Sequence, residues 1–306
     1  MSIRARLSGL LGNTSFVFLL GMAVAMGFSG GASWTEHALL PVLGVIMTVS
    51  IMDISARIFL DWRGILVPIL AALILSFVAL GGTIIGLSWL IIDDEMIRNG
   101  FVIAAAVPPA VAVIPLTYLL GGNTRLSLIG NVGAYVAGLA ITPAICLLFL
   151  GANLVDPLRL LTVLGELIVV PIVVSRMLRR TPAAATVDRW RGPVVTWGFF
   201  LVIYTIVGLN RDTFLQEPDT LLLASVIAFT ATFVIAEVIN RIARLFGVPK
   251  ADRISLMLLG ARKNDGLAGG IALLFFGPRA ALPAAVATTF NIIHFVWLAW
   301  WVKRMR

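Results

Sequence analysis

The run Leu258-Leu259-Gly260-Ala261-Arg262-Lys263-Asn264-Asp265-Gly266-Leu267 sets three formal charges inside an apolar stretch of the chain. Neither Ile254 to Ala261 nor Gly266 to Phe276 is long enough to cross a bilayer. Joined through the charged break, they reach the roughly 20 residues that a crossing needs. Ionisable side chains at that depth are costly unless they line a protein-enclosed cavity, so they mark a site. A guanidinium (Arg262), an ammonium (Lys263) and a carboxylate (Asp265) can hold an anion, replace a bound cation or exchange a proton. The competing account, a polar loop between two non-spanning pieces, strands both apolar pieces in water.

Other ionisable residues are weighed the same way. Glu166 falls well inside an apolar run and is either a proton-titrating group or a partner for a core cation. Asp53–Arg57 and Glu237–Arg241 have the i,i+4 spacing of ordinary helix-end ion pairs. Asp265, Glu166 and Glu237 are the candidate counter-ions for Lys263; the i,i+2 spacing of Asp265 requires a broken helix to bring the pair together. His37 belongs to a loop, and His294 faces headgroups, core or cavity. No phosphate-binding loop is present, and the two histidines and single cysteine (Cys146) do not form a metal motif. The chain reads as a non-enzyme without a cofactor or resident metal, with Cys146 a buried inert thiol.

The elements that position these groups follow from composition. Of 306 residues, 60% are hydrophobic and 12% charged, which makes lipid the solvent of this all-α protein. Ten apolar segments run near 14–32, 38–56, 64–92, 100–121, 126–150, 157–178, 192–209, 220–243, 254–276 and 280–302. The net charge of +8 is spread over short loops rather than one basic face, which excludes a nucleic-acid partner and reads as topology. With the N-terminus inside, seventeen of the 23 basic residues lie on the inner side and only Arg98, Arg159, Arg211 and Arg279 on the outer side. Arg262 and Lys263 stay within the membrane. The bias predicts ten crossings of a cell (inner) membrane with both termini cytoplasmic, and Trp297, Trp300 and Trp301 as an interfacial anchor.

Five crossings per half give two inverted repeats, 1–152 and 153–306, divided near Asp156-Pro157. The fourth and ninth segments are then counterparts, and both are interrupted. Pro108, Pro109 and Pro115 break one; the charged run with Gly260, Gly266, Gly269 and Gly270 loosens the other. Paired discontinuous helices in inverted halves point to the site of a secondary transporter, and their half-helix N-termini favour an anion.

The stretch Val107-Pro108-Pro109-Ala110-Val111-Ala112-Val113-Ile114-Pro115-Leu116-Thr117-Tyr118-Leu119 resembles the fourth-helix motif of the bile acid:sodium symporter family. Gly122-Asn123, Leu126-Ser127 and Thr142-Pro143 continue the likeness. Asn264-Asp265-Gly266-Leu267-Ala268 is similar to the end of the ninth-helix signature, and Phe290-Asn291-Ile292 to a tenth-helix pattern. The resemblance implies a core of segments 3–5 and 8–10, in which the broken fourth and ninth helices cross. It also implies a panel of segments 1, 2, 6 and 7, with transport by movement of one part against the other.

The departures concern the ion sites. Where the family has a Ser-Asn pair that contributes to sodium binding, this chain has Val113 and Ile114. Two hydroxyl positions of the fifth helix correspond to Ser127, kept, and Asn131, altered. A Glu and a Gln of the ninth-helix signature are replaced by Leu259 and Lys263. Val, Ile and Leu offer no side-chain oxygen, and like charges roughly 4 Å apart in a dielectric of about 20 cost on the order of 4 kcal/mol. Lys263 is therefore read as a tethered cation in place of sodium. An equal alternative gives both Arg262 and Lys263 to an anionic substrate headgroup.

The expected function is alternating-access transport of a small, carboxylate-like organic anion, with no sodium requirement and with a proton as the candidate coupling ion. Arg262, Asn264 and Asn291 are the expected headgroup contacts, and Thr117, Pro108 and Pro109 shape the cavity. Three alternatives stand beside it: a sodium symporter with unusual ligands, a metalloid or arsenite-type carrier, and a non-transporting membrane sensor or scaffold.

Overall fold

The computed structural model describes residues 14–52 and 64–304; the expected Asp53–Arg57 pair lies outside them. Regular structure in the described residues is helical, apart from one isolated antiparallel bridge between Pro109 and Lys263. We number the principal helices α1 (Thr14–Gly27), α2 (Leu39–Ser50), α3 (Leu66–Ile91), α4 (Glu95–Ala106), α5 (Val113–Leu119) and α6 (Thr124–Leu150). The series continues with α7 (Pro157–Arg179), α8 (Ala184–Leu209), α9 (Pro218–Leu245), α10 (Lys250–Gly260), α11 (Asp265–Phe276) and α12 (Pro278–Trp301). Six of these, α3, α6, α7, α8, α9 and α12, are long and apolar enough to cross a membrane unaided.

Helix ends differ from the apolar segments for local reasons. The helix α1 stops at Gly27, ahead of the Ser29-Gly30-Gly31 run that the apolar count had bridged. Conversely, α8 begins eight residues before the segment expected from 192, because Ala184, Ala185, Arg189 and Arg191 are good helix formers despite their polarity. Wide π-helical turns interrupt α3 at Ile74–Leu80, α7 at Gly165–Val169 and α9 at Thr230–Val234.

The chain divides into two compact units. One contains the described residues of Met1–Asp53 with Val163–Pro218. Within it, Phe18 meets Phe199 edge-on at 5.5 Å, the Tyr204 hydroxyl accepts from the Gly31 amide, and Arg176 and Arg179 donate to the carbonyls of Ile51 and Met52. The other contains the described residues of Ile54–Thr162 with Asp219–Arg306, and so holds both interrupted helices.

Helices of this second unit approach closely where small residues allow it. A Cβ added to Gly100 of α4 would overlap the Ala280 carbonyl of α12, and one on Gly130 of α6 would come within 2.9 Å of the Pro68 carbonyl of α3. The ends are pinned by caps. Asp94 accepts from the Ile97 amide at the start of α4 and from Arg279 Nε at 2.6 Å. Asn123 accepts from the Leu126 amide at the start of α6 and donates to Asp252 at 2.7 Å. An apolar cluster that includes Phe77, Val113, Ala134, Met257 and Leu259 then fills the space around the crossing.

Candidate functional site

Pro108 and Pro109 carry no amide proton, so α4 cannot continue through them. Val107 turns extended (φ −74°, ψ 154°), as a residue before proline does. The break strands several carbonyls in a region without water, where each unpaired group costs about 1–3 kcal/mol. Each is met from another element. Ala106 O accepts from Thr142 Oγ1 at 2.7 Å, Val107 O from Lys263 Nζ at 2.9 Å, Pro108 O from the Asn264 amide at 3.1 Å, and Ala110 O from Asn131 Nδ2 at 3.0 Å.

The second break, between α10 and α11, is closed reciprocally. Asn264 is the N-cap of α11: its Oδ1 accepts from the Leu267 amide at 3.1 Å, and its Nδ2 donates to the Tyr135 hydroxyl at 2.7 Å. The antiparallel Pro109–Lys263 bridge holds the two breaks side by side. Residues 106–110 and 261–264 thus form one hydrogen-bonded crossing.

Charge at the crossing is concentrated and buried. Arg262 and Lys263 are 6% and 4% exposed. Besides the Val107 carbonyl, the Lys263 ammonium has the face of Phe77, whose ring centre is 4.5 Å away. It stands at the C-terminal end of α4, where the helix dipole favours a cation. Among the described residues no carboxylate lies within ion-pair distance of it. This corrects the three expected counter-ions. Asp265 instead accepts from Asn291 Nδ2 at 2.7 Å, Glu237 pairs with Arg241 at 2.7 Å, and Glu166 is an exposed residue of the π-helical turn in α7. The Arg262 guanidinium donates to the Asn291 carbonyl at 3.1 Å and lies 3.5 Å from His294 Nδ1, while its Nε is buried without a partner.

The remaining sequence-derived residues divide between packing and cavity. Val113 and Leu259 are fully buried in the apolar cluster, and Ile114 is partly buried. Thr117 turns its hydroxyl onto the Val113 carbonyl and Ser127 Oγ, at 2.7 and 2.8 Å. Both polar ends of the Asn264 side chain are engaged within the protein, so it acts as a strut of the crossing. Lys263, Asp265 and Asn291, with Thr232 and a wall of alanines, border a cavity of about 30 Å³, room for roughly one water. Asn291 Oδ1 is buried there without a partner.

Sequence reasoning missed Tyr135, Thr142 and Phe77 as site residues. The first two had a readable signal: Ser127, Asn131, Tyr135 and Thr142 recur at helical spacing on the otherwise apolar α6, and all four bond to the interrupted helices or their breaks.

Comparison with known proteins shows the family. Residues 16–306 match the profile of the SBF-like CPA transporter family. A Bacillus subtilis protein named as an uncharacterized sodium-dependent transporter, YocS, is 24% identical, the match covering all of this chain and 96% of that protein. Sodium/bile acid cotransporter 7 of Danio rerio is 23% identical over 64% of this chain. A probable chloroplastic sodium/metabolite cotransporter, BASS3, of Oryza sativa subsp. japonica is 25% identical over 68% of it. The match spans about half the length of each of these last two proteins.

Proposed function

The chain belongs to the SBF-like CPA transporter family, and on that premise we propose that it carries a small organic anion across the membrane without requiring sodium. It is a multi-pass membrane protein related to bile acid:sodium symporters. The observation that carries the sodium-independent reading is the Lys263 ammonium, 2.9 Å from the Val107 carbonyl. A fixed cation already occupies the place where a mobile one would find carbonyl ligands and a helix C-terminus. Arg262, Lys263 and Asp265 leave the crossing with a formal excess of one positive charge, which suits an anionic headgroup. Asn291, with its unpaired oxygen at the cavity wall, is the polar contact beside them.

On this reading the chain makes ten crossings, four of them by α1, α2 and the pairs α4–α5 and α10–α11. They form two inverted repeats of five, in an inner membrane with both termini cytoplasmic. Support comes from the matched breaks and from the π-helical turns of α3 and α9, which are counterparts in such a repeat. The unit built from α1, α2, α8 and most of α7 would be the panel, and the unit that holds the crossing would be the core. A cavity that fits one water cannot hold a carbon skeleton, so substrate entry requires movement of one unit against the other. A proton would be the coupling ion if Lys263 releases its proton during the cycle.

Uptake of radiolabelled small carboxylates into proteoliposomes tests the proposal under imposed sodium or pH gradients. Sodium-independent uptake supports it; uptake that rises with the sodium gradient overturns it. The second reading, sodium symport through other ligands, is favoured by the names of the B. subtilis, zebrafish and rice relatives, and that second outcome would establish it.

A further inference from the structure

Away from the crossing, the outward faces of α9 and α12 enclose an open groove of about 630 Å³. Phe229, Phe233 and Val238 line its α9 side and Trp297 and Trp301 its α12 side. Glu237 and Arg241 close one end. The aromatic rings make a continuous ladder: Phe229 on Phe233 at 5.0 Å, Phe233 on Trp297 at 5.5 Å, and Trp297 on Trp301 at 5.1 Å. Phe229 and Val238 are 47% and 43% exposed, so the groove is uncovered by any described part of the chain.

From Phe229 to Arg241 the helix rises about 18 Å. One leaflet's share of a bilayer hydrocarbon core is about 15 Å. The groove therefore has the length of one acyl chain in one leaflet, with the ladder running from Phe229 at the deep end to Trp301 beside the charged mouth. Only Nε of Arg241 is engaged by Glu237, at 2.7 Å, and the side chain is 76% exposed, which leaves the outer edge of the guanidinium for a phosphate. Arg244 follows one turn later on the same helix, so the mouth carries net positive charge. We infer that this groove is a selective site for a phospholipid with an anionic headgroup, its chain along the aromatic ladder and its phosphate on Arg241. The inference does not depend on what is transported; the orientation proposed above places the site in the cytoplasmic leaflet.

Native mass spectrometry of the full chain in detergent tests it, with phosphatidylglycerol and phosphatidylcholine of identical chains added at equal concentration. Phosphatidylglycerol should be retained in preference to phosphatidylcholine. Arg241→Gln should weaken its retention about fivefold, the effect of one interfacial basic residue. Glu237→Gln, which frees Arg241, should retain it at least as well as the native chain, and glycerol 3-phosphate, lacking chains, should not compete. Equal retention of the two lipids, or equal losses in both variants, would overturn the site as a selective one. Efficient disulfide cross-linking of two copies through Val238→Cys would overturn it in favour of a protein interface.

Discussion

Replacing Lys263 by Gln is the perturbation whose size follows most directly from the geometry. A sodium ion bound to the Val107 carbonyl at an oxygen-ligand distance of about 2.4 Å lies within about 5 Å of Nζ. The bound is set by the 2.9 Å between Nζ and that same oxygen. At an effective dielectric of about 20, repulsion at 5 Å is about 3 kcal/mol, which weakens binding more than a hundredfold. Gln removes the charge and supplies a carbonyl oxygen, so sodium affinity should rise by two orders of magnitude or more. Lys263→Arg keeps the cation and should leave the protein indifferent to sodium.

The assay is thermal unfolding in detergent, in sodium chloride against N-methylglucamine chloride at equal ionic strength. A ligand at a hundred times its Kd adds about 2.7 kcal/mol to folded-state stability, well within reach of a melting curve. The expected pattern is no sodium effect for the native chain or Lys263→Arg, and a clear one for Lys263→Gln. Sodium stabilisation of the native chain would refute the reasoning. So would a well-folded Lys263→Gln that remains silent.

Three further outcomes follow from the packing. Thr142→Val, isosteric but without the hydroxyl that meets the Ala106 carbonyl, should lower stability by about 1–3 kcal/mol, read as the melting-point loss. Gly100→Ala should cost about 1–3 kcal/mol because its Cβ collides with the Ala280 carbonyl. Gly82→Ala, where nothing lies within 4 Å, should be neutral or mildly stabilising in the same measurement. Burial alone would raise the pKa of Asp94, but the Ile97 amide, Arg279 and the Met96 amide outweigh it and hold the carboxyl below its ordinary value of 3.8. A depressed folded-state pKa gives stability that is present above the unfolded value and lost as pH falls through the folded one. Melting points should therefore drop below about pH 4, and Asp94→Asn should remove that part of the slope.

The breaks were legible because proline and clustered charge are strong local signals: Pro108-Pro109 and Arg262-Lys263 interrupt apolar runs that otherwise continue. What each polar side chain touches was not. Asn264, Asp265 and Gly266 resemble a binding motif, yet the amide of Asn264 is spent on capping α11 and holding Tyr135, a division that only the packed helices decide. Glu166 falls near the middle of α7, but spacing alone does not tell that its face of the helix is an exposed one rather than one turned toward the crossing. Phe77 is one of 17 phenylalanines, and nothing in its neighbourhood marks it as the ring beneath an ammonium. On α6, Ser127 and Asn131 stand out as ion-site positions, but the continuation of that polar stripe through Tyr135 and Thr142 was the signal left unused.

That stripe also bears on how the site works. In a crossing closed by mobile ions, the donors and charges that satisfy broken-helix carbonyls come and go, and stability follows occupancy. Here uncharged groups of the chain itself, Thr142, Asn131 and the Asn264 backbone amide, satisfy three of the four carbonyls, and Lys263 satisfies the fourth. Of these four donors, Lys263 alone carries charge, and its long side chain can leave Val107 without moving the backbone. On the proposed reading, an arriving carboxylate competes with the Val107 carbonyl and the Phe77 face for that ammonium. Substrate binding and opening of the crossing are then one exchange of partners. Phe77→Leu, which removes the aromatic competitor, should accordingly strengthen carboxylate binding, by roughly the 0.5–2 kcal/mol of a cation–π contact. Isothermal titration that shows weaker or unchanged binding in that variant would rule the exchange out.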